Sequence, residues 1–396
     1  MPVAKKMAHF MTNASWIRSI FEEGGRLKKI HGAENVFDFS LGNPNVPPPA
    51  IVKELLLELV NRDEEGLHAY MPNAGFEETR SALAGRLGSD HGVPLTGGHI
   101  VMTCGAAGAI NIIMKALLDP GEEVLASAPY FVEYGFYADN HGGVLSVVNT
   151  RDDFSLDIDA LEKGISERTK IVLINSPNNP TGQIYSRAVM QQLGDLLTRK
   201  SRQYGSPIYL VSDEPYRKII YDNHQVPSIF QCYPNSVIAS SYSKDLSLPG
   251  ERIGFVAVHP DAEDGDGLMG ALILANRILG FVNAPALMQR LIPGLLDECV
   301  DVGIYQRKRD RMVNHLSAVG YDLVKPKGAF YLFPKSPVPD ELQFIKLLQE
   351  ENILVVPGRG FGTPGYFRIA YCVDDHTIEG SLPGFQRALE RARELV

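Results

Sequence analysis

Ser240-Ser241-Tyr242-Ser243-Lys244-Asp245-Leu246-Ser247-Leu248-Pro249-Gly250-Glu251-Arg252 continues a β-branched run at 237–240 and sets one lysine among hydroxyls at the end of an expected buried strand. A lysine so placed is costly unless it is paired or reactive, and Schiff-base formation with carbonyls is an established use of such a side chain. The plainer alternative is a solvated loop lysine, a common feature of surfaces.

Upstream, Val211-Ser212-Asp213-Glu214-Pro215-Tyr216 ends another apolar run on an acid, where open α/β sheets place ligand-binding groups. A helix cap is the simpler use of that aspartate. Asn175-Ser176-Pro177-Asn178-Asn179-Pro180-Thr181-Gly182 also follows an apolar run and is too polar for core, although a plain turn would need the same residues. Earlier still, Thr103-Cys104-Gly105-Ala106-Ala107-Gly108-Ala109 leads from strand to helix through small residues, leaving backbone N–H groups open to a phosphate. Gly358-Arg359-Gly360-Phe361-Gly362 lacks dinucleotide-binding spacing and reads as a turn.

These segments sit in a regular alternation. Strands are expected at 99–103, 123–127, 144–148, 171–174, 208–211, 237–240 and 253–258, with helices such as 107–118 and 187–204 between them. That alternation predicts right-handed βαβ crossovers and a mostly parallel, doubly wound α/β sheet. Beyond His259 the pattern changes to a mainly helical stretch at 268–319, interrupted near Asn283-Ala284-Pro285 and at Pro293. Strands at 328–333, 353–356 and 367–371 and helices at 341–350 and 377–395 follow, the pattern of a smaller α+β part. Near the N-terminus, Trp16, Ile17, Ile20, Phe21, Leu27 and Ile30 recur at helical spacing, with Gly24-Gly25 as an expected interruption. A lid, a dimer arm or a core-packing helix would each use that pattern.

Composition narrows the functional classes. The 396 residues are enough for two or three domains at ~150 residues each. With 44% hydrophobic and 21% charged residues the chain is an ordinary globular one. The 38 basic and 47 acidic side chains give −9, which disfavours nucleic acid and anionic membrane as partners. Cys104, Cys232, Cys299 and Cys372 form no Cys-x-x-Cys pair, and with no apolar leader after Lys5 and Lys6 this points to a reducing, cytoplasmic setting. His91 and His99 flank a glycine-rich turn, but neither a metal-ligand motif nor a Gly-x-Ser-x-Gly elbow occurs, so no metal site and no serine hydrolase is expected.

The ordered set of small-residue loop, Asn-Pro-Thr-Gly turn, strand-end Asp-x-x-Tyr, lysine, and arginine eight positions later resembles the pyridoxal-phosphate-dependent class I/II aminotransferases of fold type I. The resemblance runs from Asp38-Phe39-Ser40-Leu41-Gly42-Asn43-Pro44 to Arg368. It implies a seven-stranded, mostly parallel sheet with helices on both faces in a large domain at 46–299, and a small α+β domain at 1–45 and 300–396. It implies catalytic roles for Lys244, as internal aldimine and α-proton shuttle, and for Asp213, paired with the pyridinium nitrogen. Asn179 and Tyr216 match the residues on the cofactor's phenolic oxygen; Gly105, Ala106, Ala107, Ser241 and Arg252 match the phosphate cup. In Pro129-Tyr130-Phe131, Phe131 matches the stacking ring, with Tyr130 one residue away in register. Gly42, Asn179 and Arg368 match the groups that read the substrate α-carboxylate, and Tyr70 matches a tyrosine reaching the phosphate from a partner subunit, which implies a homodimer.

The implied reaction moves an amino group from an L-amino acid to a 2-oxo acid through a pyridoxamine phosphate intermediate. The same family site also serves C–S β-lyases, and a non-catalytic regulatory relative is a third reading. A reader of a second substrate carboxylate is not evident. Ala107 stands where some aspartate-specific relatives carry a lysine, and Arg277 lies about one residue from where others place a partner-chain arginine.

Overall fold

The computed structural model describes residues 2–13, 15–62 and 64–394, and for 12–21 the backbone alone. They form two compact units: a larger one of Val46–Val302 with Lys327–Ala329, and a smaller one of Met1–Asn45, Gly303–Pro326 and Phe330–Val396.

In chain order the strands are β1 (Phe37–Asp38), β2 (Ile100–Thr103), β3 (Glu123–Ala128), β4 (Val144–Asn149), β5 (Thr169–Asn175), β6 (Tyr209–Asp213), β7 (Ser236–Ser241), β8 (Gly254–Val258), β9 (Tyr331–Leu332), β10 (Ile353–Leu354), β11 (Val356–Pro357) and β12 (Phe367–Ala370). The larger unit holds the seven-stranded sheet β2-β8-β7-β6-β5-β3-β4. It is parallel throughout except for β8, which runs antiparallel to both neighbours. The expected mostly parallel α/β sheet is therefore present.

Its inner strands read as largely apolar runs because both faces are covered, whereas the edge strand β4 is partly exposed. Leu125, Val172, Ile174, Leu210 and Ile238 point to one face, against helices Glu77–His91 and Arg187–Tyr204. Their neighbours Val124, Ile171, Leu173, Val211 and Val237 point to the other, against Gly105–Leu117 and Gly265–Ile278. Each such side chain contributes about 1.5–3 kcal/mol by leaving water, which locks the strand registers. Register then fixes the polar ends: Asn175 lies beside Asp213, and Asp213 beside Ala239. Gly254 of β8 sits between Ser241 of β7 and Thr103 of β2, so residues following β2 and β7 share one end of the sheet with those preceding β8.

The smaller unit carries the antiparallel sheet β11-β12-β9 and the parallel pair β1-β10. Two sequence expectations fail there. The helix Ser15–His31 runs unbroken through Gly24-Gly25. A Cβ on buried Gly24 would come 2.8 Å from Leu354, so this glycine serves close packing rather than a break. The side chains of Trp16, Ile17, Ile20 and Phe21 lie outside the described residues. The stretch 328–333 pairs as a strand only at Tyr331–Leu332, after Ala329 takes a left-handed φ of 56°. Gly358–Phe361 is a short 3-10 turn, as its spacing suggests.

Candidate active site

In the larger unit, the polar groups gather at the carboxyl ends of β5, β6 and β7, where open α/β sheets bind ligands. Asp213, the last residue of β6, is 6% exposed. Its Oδ2 accepts a 2.7 Å hydrogen bond from the Tyr134 hydroxyl, whereas the buried Oδ1 has no partner. Burial pushes the carboxyl up to about 7, against the pull of the Tyr134 hydrogen bond and with Glu214 adding to the rise. A buried acceptor left open costs about 1–3 kcal/mol. This is the arrangement expected of a carboxylate awaiting a donor from a ligand.

The frame around it is fully tied. Asn175 Nδ2 donates to the Asp213 carbonyl at 2.8 Å, and Asn175 Oδ1 accepts from the Asn179 backbone N–H at 2.6 Å. The 175–182 turn is thus hung on the Asp213 strand, and Asn179 is buried. Phe131 meets Tyr134 edge to face at 5.6 Å, which links the 129–134 segment to the same carboxylate. Lys244, half-buried just past β7, holds its Nζ 5.9 Å from the centroid of the buried Tyr216 ring. Next to it, burial raises the Asp245 carboxyl to about 6, with Lys218 opposing.

At the neighbouring sheet end, helix Gly105–Leu117 starts without any side-chain cap, so Gly105, Ala106 and Ala107 present first-turn amides to whatever approaches. Gly105 has φ 73°, and a Cβ on it would lie 2.8 Å from the Arg252 guanidinium. A Cβ on Gly254 would come 2.7 Å from the Gly105 carbonyl carbon. Glycine at both places lets Arg252, itself left-handed at φ 52°, close against the helix start. Ser241 Oγ, on the adjacent strand, donates to Ser243 Oγ at 3.1 Å. Uncapped amides, a guanidinium and hydroxyls make a cradle for a dianion. The donor set as a whole suits one ligand with an N–H for Asp213 and a phosphate for this cradle.

The smaller unit contributes a separate group. Arg368 of β12 is buried, with its guanidinium carbon 4.8 Å from the Tyr331 ring centroid and 4.9 Å from that of Phe361. It donates to the Ser40 carbonyl at 2.7 Å. Gly42 lies against Tyr331, where any Cβ would collide with the phenol. Gly42 and Arg368 thus converge on one aromatic ring.

Tyr70 is 90% exposed. Arg277 is exposed in the last turn of Gly265–Ile278. Sequence reasoning did not single out Tyr134, Asn175 or Tyr331. The three-residue spacing from Phe131 to Tyr134 offered a signal, since it puts both rings on one side of a helical turn.

The family model described as aminotransferase class I and II matches residues 33–382, and the chain belongs to this family. It is an aminotransferase with the fold type I architecture. Among curated relatives, a probable aspartate/prephenate aminotransferase of Aquifex aeolicus is 30% identical over 372 residues, covering 90% of this chain and 91% of the relative. Aromatic-amino-acid aminotransferase 2 of Thermococcus litoralis is 29% identical over 399 residues, 97% of each. A crystal structure of an amino transferase from Eubacterium rectale is 41% identical and matches with TM-score 0.96 over 99% of both chains. Thermus thermophilus aspartate aminotransferase with maleate matches at TM-score 0.83 and 27% identity, covering 94% of this chain and 96% of that one.

Proposed function

We propose that the chain is a pyridoxal 5'-phosphate-dependent aminotransferase that moves an amino group from an L-amino acid to a 2-oxo acid, acting as a cytoplasmic homodimer. The observation that carries the reading is the buried Oδ1 of Asp213, an acceptor the protein leaves open beside an uncapped helix start with its arginine. Bound pyridoxal phosphate supplies an electron-poor ring that accommodates the electron pair left when the substrate Cα–H bond breaks.

The residues then divide the work. Asp213 Oδ1 accepts the ring N–H and keeps that nitrogen protonated. Lys244 Nζ would hold the cofactor through its aldehyde, with loss of water, and once displaced by the substrate amine it would be the base that takes the Cα proton and returns it. Asn179 and Tyr216 donate to the phenolic oxygen, and Phe131 supplies the stacking ring. The amides of Gly105, Ala106 and Ala107, with Ser241 and Arg252, hold the phosphate. Arg368 grips the α-carboxylate with two parallel N–H donors, a task lysine performs poorly, helped by Gly42 N–H and Asn179.

The exposure of Tyr70 supports a partner-facing role, reaching the phosphate of a second subunit. Four unbridged cysteines suit a reducing compartment, and among the described residues no helix is long and apolar enough to cross a membrane. The names of the relatives, aspartate/prephenate and aromatic-amino-acid aminotransferases, support dicarboxylic or aromatic amino acids as donors.

Borohydride reduction of the cofactor-loaded protein, followed by peptide mass spectrometry, tests the assignment. The added cofactor mass is expected on the peptide that contains Lys244. Label on another lysine, or none in protein saturated with pyridoxal phosphate, would refute it.

A further inference from the structure

The larger unit also contains a cleft of about 450 Å³ that none of the residues assigned above lines. Its walls carry three cations, Arg187, Arg217 and Lys327, against one carboxylate, Asp90. That concentration is unusual for a chain of net charge −9.

The charges are also unequally paired. Asp90 is taken up by Arg86, Nε to Oδ2 at 3.0 Å. Arg217 is partly occupied by Glu214 at 2.9 Å and by the Val226 carbonyl at 3.1 Å. Among the described residues Arg187 and Lys327 form no ion pair. Arg187 and Lys327 therefore share one concave wall with no direct ion pair, some compensation coming from the Asp153 carboxylate, which feels the charge of Lys327.

Three further features suit an anion there. Arg187 opens the 18-residue helix Arg187–Tyr204, whose Ser186 cap engages only the Val189 N–H, so the positive end of a long helix faces the same place. Ile184 and Pro227 give apolar wall for a short carbon skeleton. The backbone is firmly held, since the N–H groups of Lys327 and Gly328 both donate to the Gly182 carbonyl at 2.9 and 3.0 Å, and Tyr221 N–H donates to the Lys327 carbonyl at 2.9 Å. A preformed wall spares a ligand much of the ordering cost, and the volume lies within the ~300–1,000 Å³ usual for small-molecule sites.

We propose that this cleft binds a small organic dianion bearing carboxylate or phosphate groups, gripped by Arg187 and Lys327. The site is independent of the transamination reading, and its test separates the two. Cofactor-loaded protein is titrated calorimetrically with glutarate and, separately, glycerol 3-phosphate, in the wild type and in Arg368→Gln, which removes the other cation that would take a carboxylate. At least one probe is expected to bind Arg368→Gln with a Kd of about 0.1–1 mM. The double variant Arg187→Gln/Lys327→Gln should weaken that binding at least about tenfold, a loss of about 1.4 kcal/mol, while its transamination rate stays at the wild-type value. Binding of the phosphate ester alone assigns the site to phosphorylated metabolites, binding of glutarate alone to dicarboxylates, and either supports the site. No binding of either probe to Arg368→Gln, or binding that the double variant and both single variants leave unchanged, would overturn it.

Discussion

Asp213 in the larger unit and Arg368 in the smaller are both buried charges, yet burial weighs on them differently. Asp213 has one hydroxyl donor and one open oxygen, and its carboxyl is driven up to about 7 by the loss of water. Arg368 lies on two aromatic faces and donates to a backbone carbonyl. Aromatic rings attract a cation through their quadrupole, a compensation worth about 2 kcal/mol when desolvated. A carboxylate has no such apolar remedy. Asp213 thus keeps an open acceptor at full burial cost, whereas the two rings offset part of the cost of burying Arg368. Variants of the two should fail in different observables.

The largest effect is expected at Asp213. Asp213→Ala strips the N–H acceptor from a buried pair, a loss of about 3–5 kcal/mol, so turnover should fall roughly two to four decades and pyridoxal phosphate should bind more weakly. Turnover and cofactor affinity within threefold of wild type would remove Asp213 from the site. Arg368→Lys should lower kcat/KM by about 10–100-fold through loss of the two-pronged grip, corresponding to about 1.5–3 kcal/mol, with cofactor affinity unchanged. If cofactor affinity fell as well, the contrast between the two anchors would not hold.

The contrast also has a pH signature in the cofactor-free protein. Between the ordinary 3.8 of a free aspartate and about 7, the folded protein keeps the Asp213 proton that the unfolded chain has lost. Folding therefore binds a proton in that window, and this group's stabilising contribution declines as pH rises to about 7, then levels off. Other groups titrate in the same range, among them His91, which burial holds down at about 3 and which acts in the opposite sense. The difference from Asp213→Asn isolates the aspartate. Relative to wild type, the variant should gain about 2 kcal/mol in urea unfolding between pH 5.5 and 8, from 1.36 kcal/mol per pH unit over about 1.5 units. Parallel pH profiles would mean that Asp213 does not bear the burial cost.

The smallest effect is expected at Tyr134. Its hydroxyl pulls the Asp213 carboxyl down, so Tyr134→Phe should let that carboxyl rise further and weaken pyridoxal phosphate binding about tenfold, the worth of one hydrogen bond to a charged group. An unchanged dissociation constant would make Tyr134 a packing residue.

How much of this was legible in the sequence follows from the range of the interactions. The strands of the large sheet were readable because each is a short run between turn residues, and all but the edge strand β4 are buried along their length. Local rules failed where a distant partner decides. Gly24 reads as a helix breaker until Leu354, 330 positions away, is seen packed on it. The stretch 328–333 reads as a strand until Ala329 turns left-handed, leaving an isolated bridge from Gly328 to Ile220 and a two-residue strand at Tyr331–Leu332. In the larger unit, the order of motifs pointed to Asp213, Lys244 and Arg252, because strand ends place such residues together. The spacing from Phe131 to Tyr134 hinted at two rings on one side of a turn, but nothing near Tyr134 in sequence tells that its hydroxyl meets an aspartate 79 residues on. The two faces around Arg368, Tyr331 and Phe361, were hidden for the same reason.

The most direct test of the central claim is a single turnover. Cofactor-loaded protein is mixed with one L-amino acid at a time, without a 2-oxo acceptor, and the products are identified by mass spectrometry. The account predicts one equivalent of the corresponding 2-oxo acid per active site from a dicarboxylic or aromatic donor, and none from Lys244→Ala. Continuous release of ammonia and pyruvate from cysteine or cystathionine, with no stoichiometric 2-oxo acid from any donor, would contradict it.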